Sequence, residues 1–396
     1  MKKVLATILA LVMALGVTTA AAWADGTGET CNGENCTHAA EFNGKHYTHL
    51  VDAYAALTRG TTKPAAAEVI TLLRDSSGGG IGSDADTNMN YVIDFGGYTY
   101  TVGAPAVGST GTVSQGLRVL KTSTAKFMNG TLKAADYNGL VQVVHTYGDV
   151  TFENFNVDAR ENSYAQIAVE PDCGTLNITG NSSILAREGK TGLYVAFWHT
   201  ATYKGTTVNV NTTGKITGKL VYEFDEDMTG DAAATENKAV LNITNGNFEI
   251  TDIQTLFTDV DETNEALTKA KITVTGGTFS RDVSTYAADN TPVAFKNDTD
   301  TYYVGAETIQ NAANTLSAGQ QLKIEKGTVT INGNTVTAGT SYTVPSRYYY
   351  YQPTTDTKTT DTKGSPKTFD AGIALYVGMA LTSAAGVAFV GKKRED

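Results

Sequence analysis

One local pattern recurs down the middle of the chain, and it constrains the fold more than any other feature. An alternating strand runs into a Gly/Asn turn and then into a second apolar strand start. Ala125-Lys126-Phe127-Met128-Asn129-Gly130-Thr131-Leu132 is one copy, and Val150-Thr151-Phe152-Glu153-Asn154-Phe155-Asn156-Val157 is the next. Four more follow around Ile178, Val210, Ile243 and Val274. Alternation puts Phe127, Phe152, Ile178, Val210, Ile243 and Val274 on the same face in successive copies. Their separations are 25, 26, 32, 33 and 31 positions, so each copy reads as one coil with insertions of variable length. A single copy cannot bury its apolar face, whereas stacked copies bury it continuously. Glycine and asparagine recur at the corners because β-branched residues resist those backbone conformations.

The expected fold is therefore all-β: a single-stranded right-handed parallel β-helix over residues 42–305. A β-sandwich is the rival, but it has no reason to repeat one turn at near-constant spacing. Further apolar strands are expected from Gly139, from Ala165 and from Gly192. Ahead of the coils, Phe42-Asn43-Gly44-Lys45-His46-Tyr47 reads as a turn between two short extended pieces. Leu50, Ala53, Tyr54 and Leu57 then fall on one helical face, as an N-terminal capping helix would need, and a strand follows over 68–73. After Tyr303 the pattern stops. Residues 306–345 read as a small C-terminal α+β cover or separate module, with a helical stretch, a strand and a hairpin turning at Asn332-Gly333.

The two ends carry addresses rather than fold. Lys2 and Lys3, the apolar run 4–17 and the small-residue site Ala22-Trp23-Ala24 form a secretory signal peptide over residues 1–24. Residues 25–41 are a polar leader. Residues 346–364 lack apolar period and read as a flexible spacer. Residues 365–396 combine a short motif, an apolar membrane segment at 371–390 and the basic cluster Lys392-Lys393-Arg394. About twenty apolar residues suffice to span a bilayer, and the basic end stays on the cytoplasmic side. The motif Ser365-Pro366-Lys367-Thr368-Phe369 resembles the Leu-Pro-any-Thr-Gly sorting signal of Gram-positive cell walls. Pro366 and Thr368 match it; Ser365 stands for Leu and Phe369 for Gly. Either a sortase of different preference cuts after Thr368 or the tail stays as a membrane anchor, and both place the chain outside the cell.

The chain also resembles secreted right-handed parallel β-helix, pectate-lyase-like surface proteins of gut Firmicutes. The resemblance rests on Cys36-Thr37-His38-Ala39-Ala40 with its following helix, the rung Val92-Ile93-Asp94-Phe95-Gly96-Gly97-Tyr98-Thr99, the late segment from Gly276 to Tyr286, and the tail. It implies a pectate-lyase-like architecture and lends little about activity.

The formal charge is -11, and loss of Lys2 and Lys3 leaves -13, which repels phosphate backbones and excludes nucleic acid as the expected partner. Signal peptidase and sortase are the processing partners, peptidoglycan or membrane the anchor, and glycan or a host surface the ligand. No cofactor is expected, calcium being the one ion the acidic loops would take. Its candidates are Asp84, Asp86 and Asn88, where Met89 stands at an EF-hand's glycine, and Asp225, Asp227 and Asp231; solvated acidic loops are the plainer account. Cys31 and Cys36 read as a local disulfide. The spacing C-x4-C-x-H-x7-H-x2-H, with His38, His46 and His49, raises zinc as an alternative but matches no standard module. Cys173 reads as a buried small apolar residue. His145 and His199 stand isolated in apolar strands and read as structural. Tyr194, Trp198 and Tyr203, beside Phe197, are candidates for stacking on sugar rings, or else for filling the core. No catalytic residue is assigned. The leading expectation is a non-catalytic surface display or adhesion protein; the alternative is a polysaccharide-active lyase or glycosidase, which a pair of acidic groups facing one groove would favour.

Overall fold

The computed structural model describes residues 28, 36–82, 88–109, 112–196, 205–225, 239–258 and 270–345. The expected signal peptide, Cys31, the spacer, the sorting motif Ser365 to Phe369 and the apolar segment 371–390 lie outside the described residues. Among the described residues no helix is long and apolar enough to cross a membrane.

Strands dominate, and most of them pair in parallel. The first ladder begins at Glu68–Leu72 and Asn90–Asp94, continues through 124–128, 149–153, 174–180, 206–212 and 239–245, and ends at Lys271–Val274. Its register sets Ile70, Ile93, Phe127, Phe152, Ile178, Val210, Ile243 and Val274 directly opposite one another, layer upon layer. None of the eight is more than 1% exposed, so the six residues expected on one face do form one column, extended by two. A second ladder stacks Tyr100, Leu132, Val157, Ile184, Ile216, Phe248 and Phe279 in the same way. A third stacks Leu117, Val144, Val169, Leu193, Leu220 and Ile253. The chain visits the three ladders in turn and then begins the next layer. The inward residues of all three fall in one continuous hydrophobic cluster. A sandwich of antiparallel sheets is not what these pairings describe.

The corner between the first two ladders shows why asparagine and glycine recur. Asn129 and Asn154 hold φ of 56° and 53°, and Gly180 holds 67°. Asparagine tolerates this left-handed conformation better than any residue but glycine. At Gly180 an added Cβ would also sit 2.2 Å from Oδ1 of Asn154, which accepts a hydrogen bond from the Asn181 amide at 3.2 Å. On the outer face of the first ladder Asn242 donates to Asn209 at 3.0 Å and Asn209 to Asn177 at 2.9 Å. These amides face one another only because the register is kept.

Two of the third-ladder strands begin later than the apolar runs suggest: Gln142–Thr146 and Ile167–Pro171, against expected starts at Gly139 and Ala165, whereas Thr191–Val195 begins one residue before the expected Gly192. Leu140 and Ala165 are buried in the preceding turns, so apolar character outruns strand pairing there. Asn162 organises one such turn, its Oδ1 accepting from the amides of Tyr164 and Ala165 at 2.7 and 2.6 Å.

Both ends of the stack switch to antiparallel pairing. Ala40–Phe42 turns through Asn43-Gly44 to Lys45–Tyr47 and lies antiparallel on Glu68–Leu72, with Phe42 opposite Ile70. The helix Leu50–Ala55 buries Leu50, Ala53 and Tyr54, the last edge-on to Tyr91 at 5.5 Å. At the other end Thr301–Val304 lies antiparallel on Gly277–Phe279. Beyond it the helix Ala306–Asn314, the strand Gln321–Lys326 and the hairpin Thr328–Ile331/Asn334–Thr337, turning at Asn332-Gly333, enclose a second small core around Ile309, Leu322, Ile324 and Ile331.

Phe152 is fully buried and its ring lies 6.1 Å from Phe127 and 5.2 Å from Phe155. Phe152→Ala is expected to lower unfolding free energy by about 3–5 kcal/mol. Val69, 49% exposed on the neighbouring position of the same ladder, is expected to change it by less than about 0.5 kcal/mol when replaced by Thr. Denaturant titration of both variants measures the contrast.

Candidate functional site

The third ladder differs from the other two in what it carries on its outward side. Register places His145 opposite Arg118 on one side and Glu170 on the other, and Val169 opposite Leu193 brings Tyr194 next in line. Two residues on from His145 and Glu170 come Tyr147 and Asp172, on the same side by strand alternation. Arg118, His145, Glu170 and Asp172 thus converge from three layers, although 27 residues separate Arg118 from His145 and 25 separate His145 from Glu170.

Nε2 of His145 lies 2.7 Å from Oδ2 of Asp172, with both side chains about 5% exposed or less. The imidazole packs on the Tyr147 ring at 4.4 Å, and the Arg118 guanidinium stands over the same ring at 5.8 Å. Arg118 donates through Nη2 to Ser109 Oγ at 2.6 Å. Gln142 donates to Glu170 Oε2 at 2.8 Å, and the Tyr194 hydroxyl donates to Glu223 Oε2 in a short hydrogen bond. One nitrogen of His145 and one oxygen each of Glu170 and Asp172 lie within 4.8 Å of one another.

The electrostatics follow from this crowding. Burial, then the charge of Asp172, pushes the Glu170 carboxyl up to about 7, against the opposing pull of His145 and Gln142. Burial by itself would lower the pKa of His145; the charge and hydrogen bond of Asp172, with Glu170 behind them, outweigh it and raise the pKa. The Tyr147 and Tyr194 hydroxyls are raised by burial and by the neighbouring carboxylates. Nε and Nη1 of Arg118, Nδ1 of His145 and Oδ1 of Asp172 have no hydrogen-bond partner among the described residues. Buried polar atoms normally find one. The arrangement supplies an imidazole oriented by a carboxylate, a second carboxyl poised near neutrality, and a guanidinium: the parts of general acid–base chemistry on an anionic or polyhydroxy ligand.

His145 stands isolated in its own strand by sequence, and the structure gives it a buried carboxylate partner. Glu170-Pro171-Asp172 is itself a carboxylate pair, spaced so that strand alternation turns both acids the same way. His145 acquires its partner from the next layer. Cys173, beside this pair, is buried as expected.

Comparison of the chain with family models, with curated proteins and with solved structures finds no match.

Of the other sequence candidates, Tyr194 is half-buried and engaged with Glu223. Trp198, Tyr203, Phe197 and His199 lie outside the described residues, as do Asp84, Asp86, Asp227, Asp231 and the side chain of Asp225. Asn88 spends its amide on the carbonyls of Gly60 and Thr61 at 3.3 and 2.6 Å. A different tyrosine stands out instead. Tyr164 is 47% exposed. Its neighbours are polar and tied down: Arg187 donates to Ser163 Oγ at 2.7 Å, Lys190 donates to Gln166 Oε1 at 2.8 Å, and Gln166 donates to the Tyr164 carbonyl at 2.7 Å. The outward parity of Tyr164 could not be read before the turn at Asn162 was placed.

Both Glu170 and His145 hold raised pKa values, so the stability they confer is present at acid pH and lost as pH rises through their folded-state values. For Glu170 that window runs from the ordinary carboxyl value to about 7. Glu170→Gln keeps the acceptor for Gln142 and removes the ionisation. The variant is expected to be more stable than the parent at pH 8 and little different at pH 4, as thermal melts across this range would show.

Proposed function

We propose that the chain is a right-handed parallel β-helix exported by its N-terminal signal and held on the outer surface of a Gram-positive cell by its C-terminal tail. There it acts as a display protein that binds glycan along its flank without transforming it. The observation that carries the binding is the Tyr164 patch. An aromatic side chain about half exposed to solvent, in a turn whose neighbouring residues are tied by hydrogen bonds to an arginine, a lysine and a glutamine, matches the stacking and hydroxyl recognition that a sugar chain requires. The three ladders, which hold their inward columns in line across local bulges, support the reading further, because a rigid surface holds such a patch at low entropic cost.

Tyr164→Ala is expected to weaken retention on the responding glycan of an array by about tenfold, while leaving the unfolding midpoint within a degree or two of the parent. Fractionation of a Gram-positive host expressing the chain is expected to find it in the wall or membrane fraction, and secretion into the medium with the tail deleted.

A second reading, a polysaccharide-active enzyme, is favoured by one observation, the Arg118–His145–Glu170–Asp172 cluster. In that reading Glu170 moves the proton, Asp172 orients His145, and Arg118 receives a uronate carboxylate. Incubation of the full chain with acidic and neutral polysaccharides separates the two. Oligosaccharide products that vanish in Glu170→Gln would establish the enzyme and remove the non-catalytic reading; binding without products would uphold it.

A further inference from the structure

The N-terminal hairpin carries a second cluster that neither reading above uses. Nδ1 of His46 lies 2.9 Å from Sγ of Cys36, and Nδ1 of His38 lies 3.3 Å from the same sulfur. All three ligating atoms fall within 4.8 Å of one another, and all three residues are half-buried. We propose that Cys36, His38 and His46 bind a zinc ion that fastens the first layer of the stack.

The donor set and its convergence point to zinc. Zn–S of about 2.3 Å and Zn–N of about 2.0–2.1 Å at tetrahedral angles place sulfur and nitrogen about 3.6 Å apart, so the 2.9 and 3.3 Å separations here need to open by about 0.7 and 0.3 Å to admit the ion. The hydrogen-bonding alternative is more demanding: the thiol can donate to one Nδ1 and accept from the other only if the two rings hold opposite tautomers, and both bonds to sulfur are weak. A metal ion satisfies the thiolate and both rings together, with one coordination position left for a further ligand.

The surroundings hold these side chains in place. His46 sits on Lys45–Tyr47 directly opposite Glu41, and its other ring nitrogen, Nε2, faces Glu41 Oε2 at 4.0 Å. A carboxylate behind a metal-bound histidine is the usual means of fixing ring orientation, and it closes to hydrogen-bond distance once Nδ1 is committed to the metal. The Cys36 carbonyl accepts a hydrogen bond from Arg74 at 2.8 Å, just beyond the first ladder's opening strand. The Ala39 amide donates to Tyr47 at 2.9 Å, and the Leu73 amide to Ala39 at 2.8 Å. The cluster therefore bridges the segment entering the fold, the hairpin that covers the first strand, and that strand's end. Zinc here would join them where the stack would otherwise present an open edge.

The test uses the purified full chain. After dialysis against metal-free buffer, elemental analysis is expected to find one zinc per chain. Replacement by cobalt is expected to give the intense visible bands of a tetrahedral site together with a thiolate-to-cobalt charge-transfer band. Cys36→Ser should abolish the charge-transfer band, His46→Ala should lower zinc affinity at least tenfold, and Glu41→Gln should lower it by about ten- to a hundredfold. His145→Ala should keep full stoichiometry, since that histidine belongs to the other cluster. A chain that retains no zinc and shows no thiolate–cobalt band overturns the proposal, whatever the variants do. So does a charge-transfer band that survives Cys36→Ser, or a metal lost with His145 and kept without Cys36.

Discussion

Register is the constraint on which the rest of this structure depends. Side chains on a strand alternate faces, so a slip of one residue in any layer would turn its whole apolar set outward. In the first ladder the penalty is compounded, because Phe152 packs between Phe127 below it and Ile178 above it. A slipped layer would lose both contacts and break the asparagine chain from Asn177 to Asn242 on the opposite face. The buried column and the outer amide row are the two faces of one register, and each excludes the arrangement that would spoil the other.

A stack of parallel strands solves its interior and leaves its ends unsolved, because the first and last layers expose unpaired backbone. This chain meets both ends with the same device, a reversal of strand direction. Ala40–Phe42 lies antiparallel on the opening strand and adds Phe42 beneath Ile70, so the column is finished with a ring rather than cut off. At the far end Thr301–Val304 closes on Gly277–Phe279, and the sheet runs on into a small core of its own. Antiparallel strands need only short connections, which suits segments that must stop a repeat.

The parts of the fold that could be read in advance are those governed by a local period. Phe127 to Val274 declared their common face through alternation, and Asn129, Asn154 and Gly180 declared their corner through the conformations they alone accept cheaply. The hairpin at Asn332-Gly333 and the helix from Leu50 were legible for the same reason. The third ladder was harder. Leu140 and Ala165 are apolar because turns bury them, and apolar character alone does not separate a buried turn from the strand that follows. The polar cluster was hardest of all. Arg118, His145 and Glu170 each sit in an apolar strand of a different layer, and only the coil length between them, known once the layers are aligned, brings them together. Conversely, Cys36, His38 and His46 are close enough in sequence for their meeting to be suspected from spacing alone, with the hairpin at Asn43-Gly44 supplying the geometry.

The third ladder also shows what a repeating scaffold permits that a single sheet does not. Each layer offers the same outward position at nearly the same place, so a functional group can be assembled from successive layers without altering the core. Leu117, Val144 and Val169 keep the inward column intact while Arg118, His145 and Glu170, one residue later in each strand, carry charge and hydrogen-bonding groups on the other side. Their mutual distances are then inherited from the strand spacing, about 4.8 Å per layer. Glu170 stands near neutrality because its carboxyl is buried there and, second, because the Asp172 carboxylate lies beside it, against the opposing pull of His145 from the layer before. The lattice that makes the fold repetitive is thus the same one that sets the electrostatics of its most polar site.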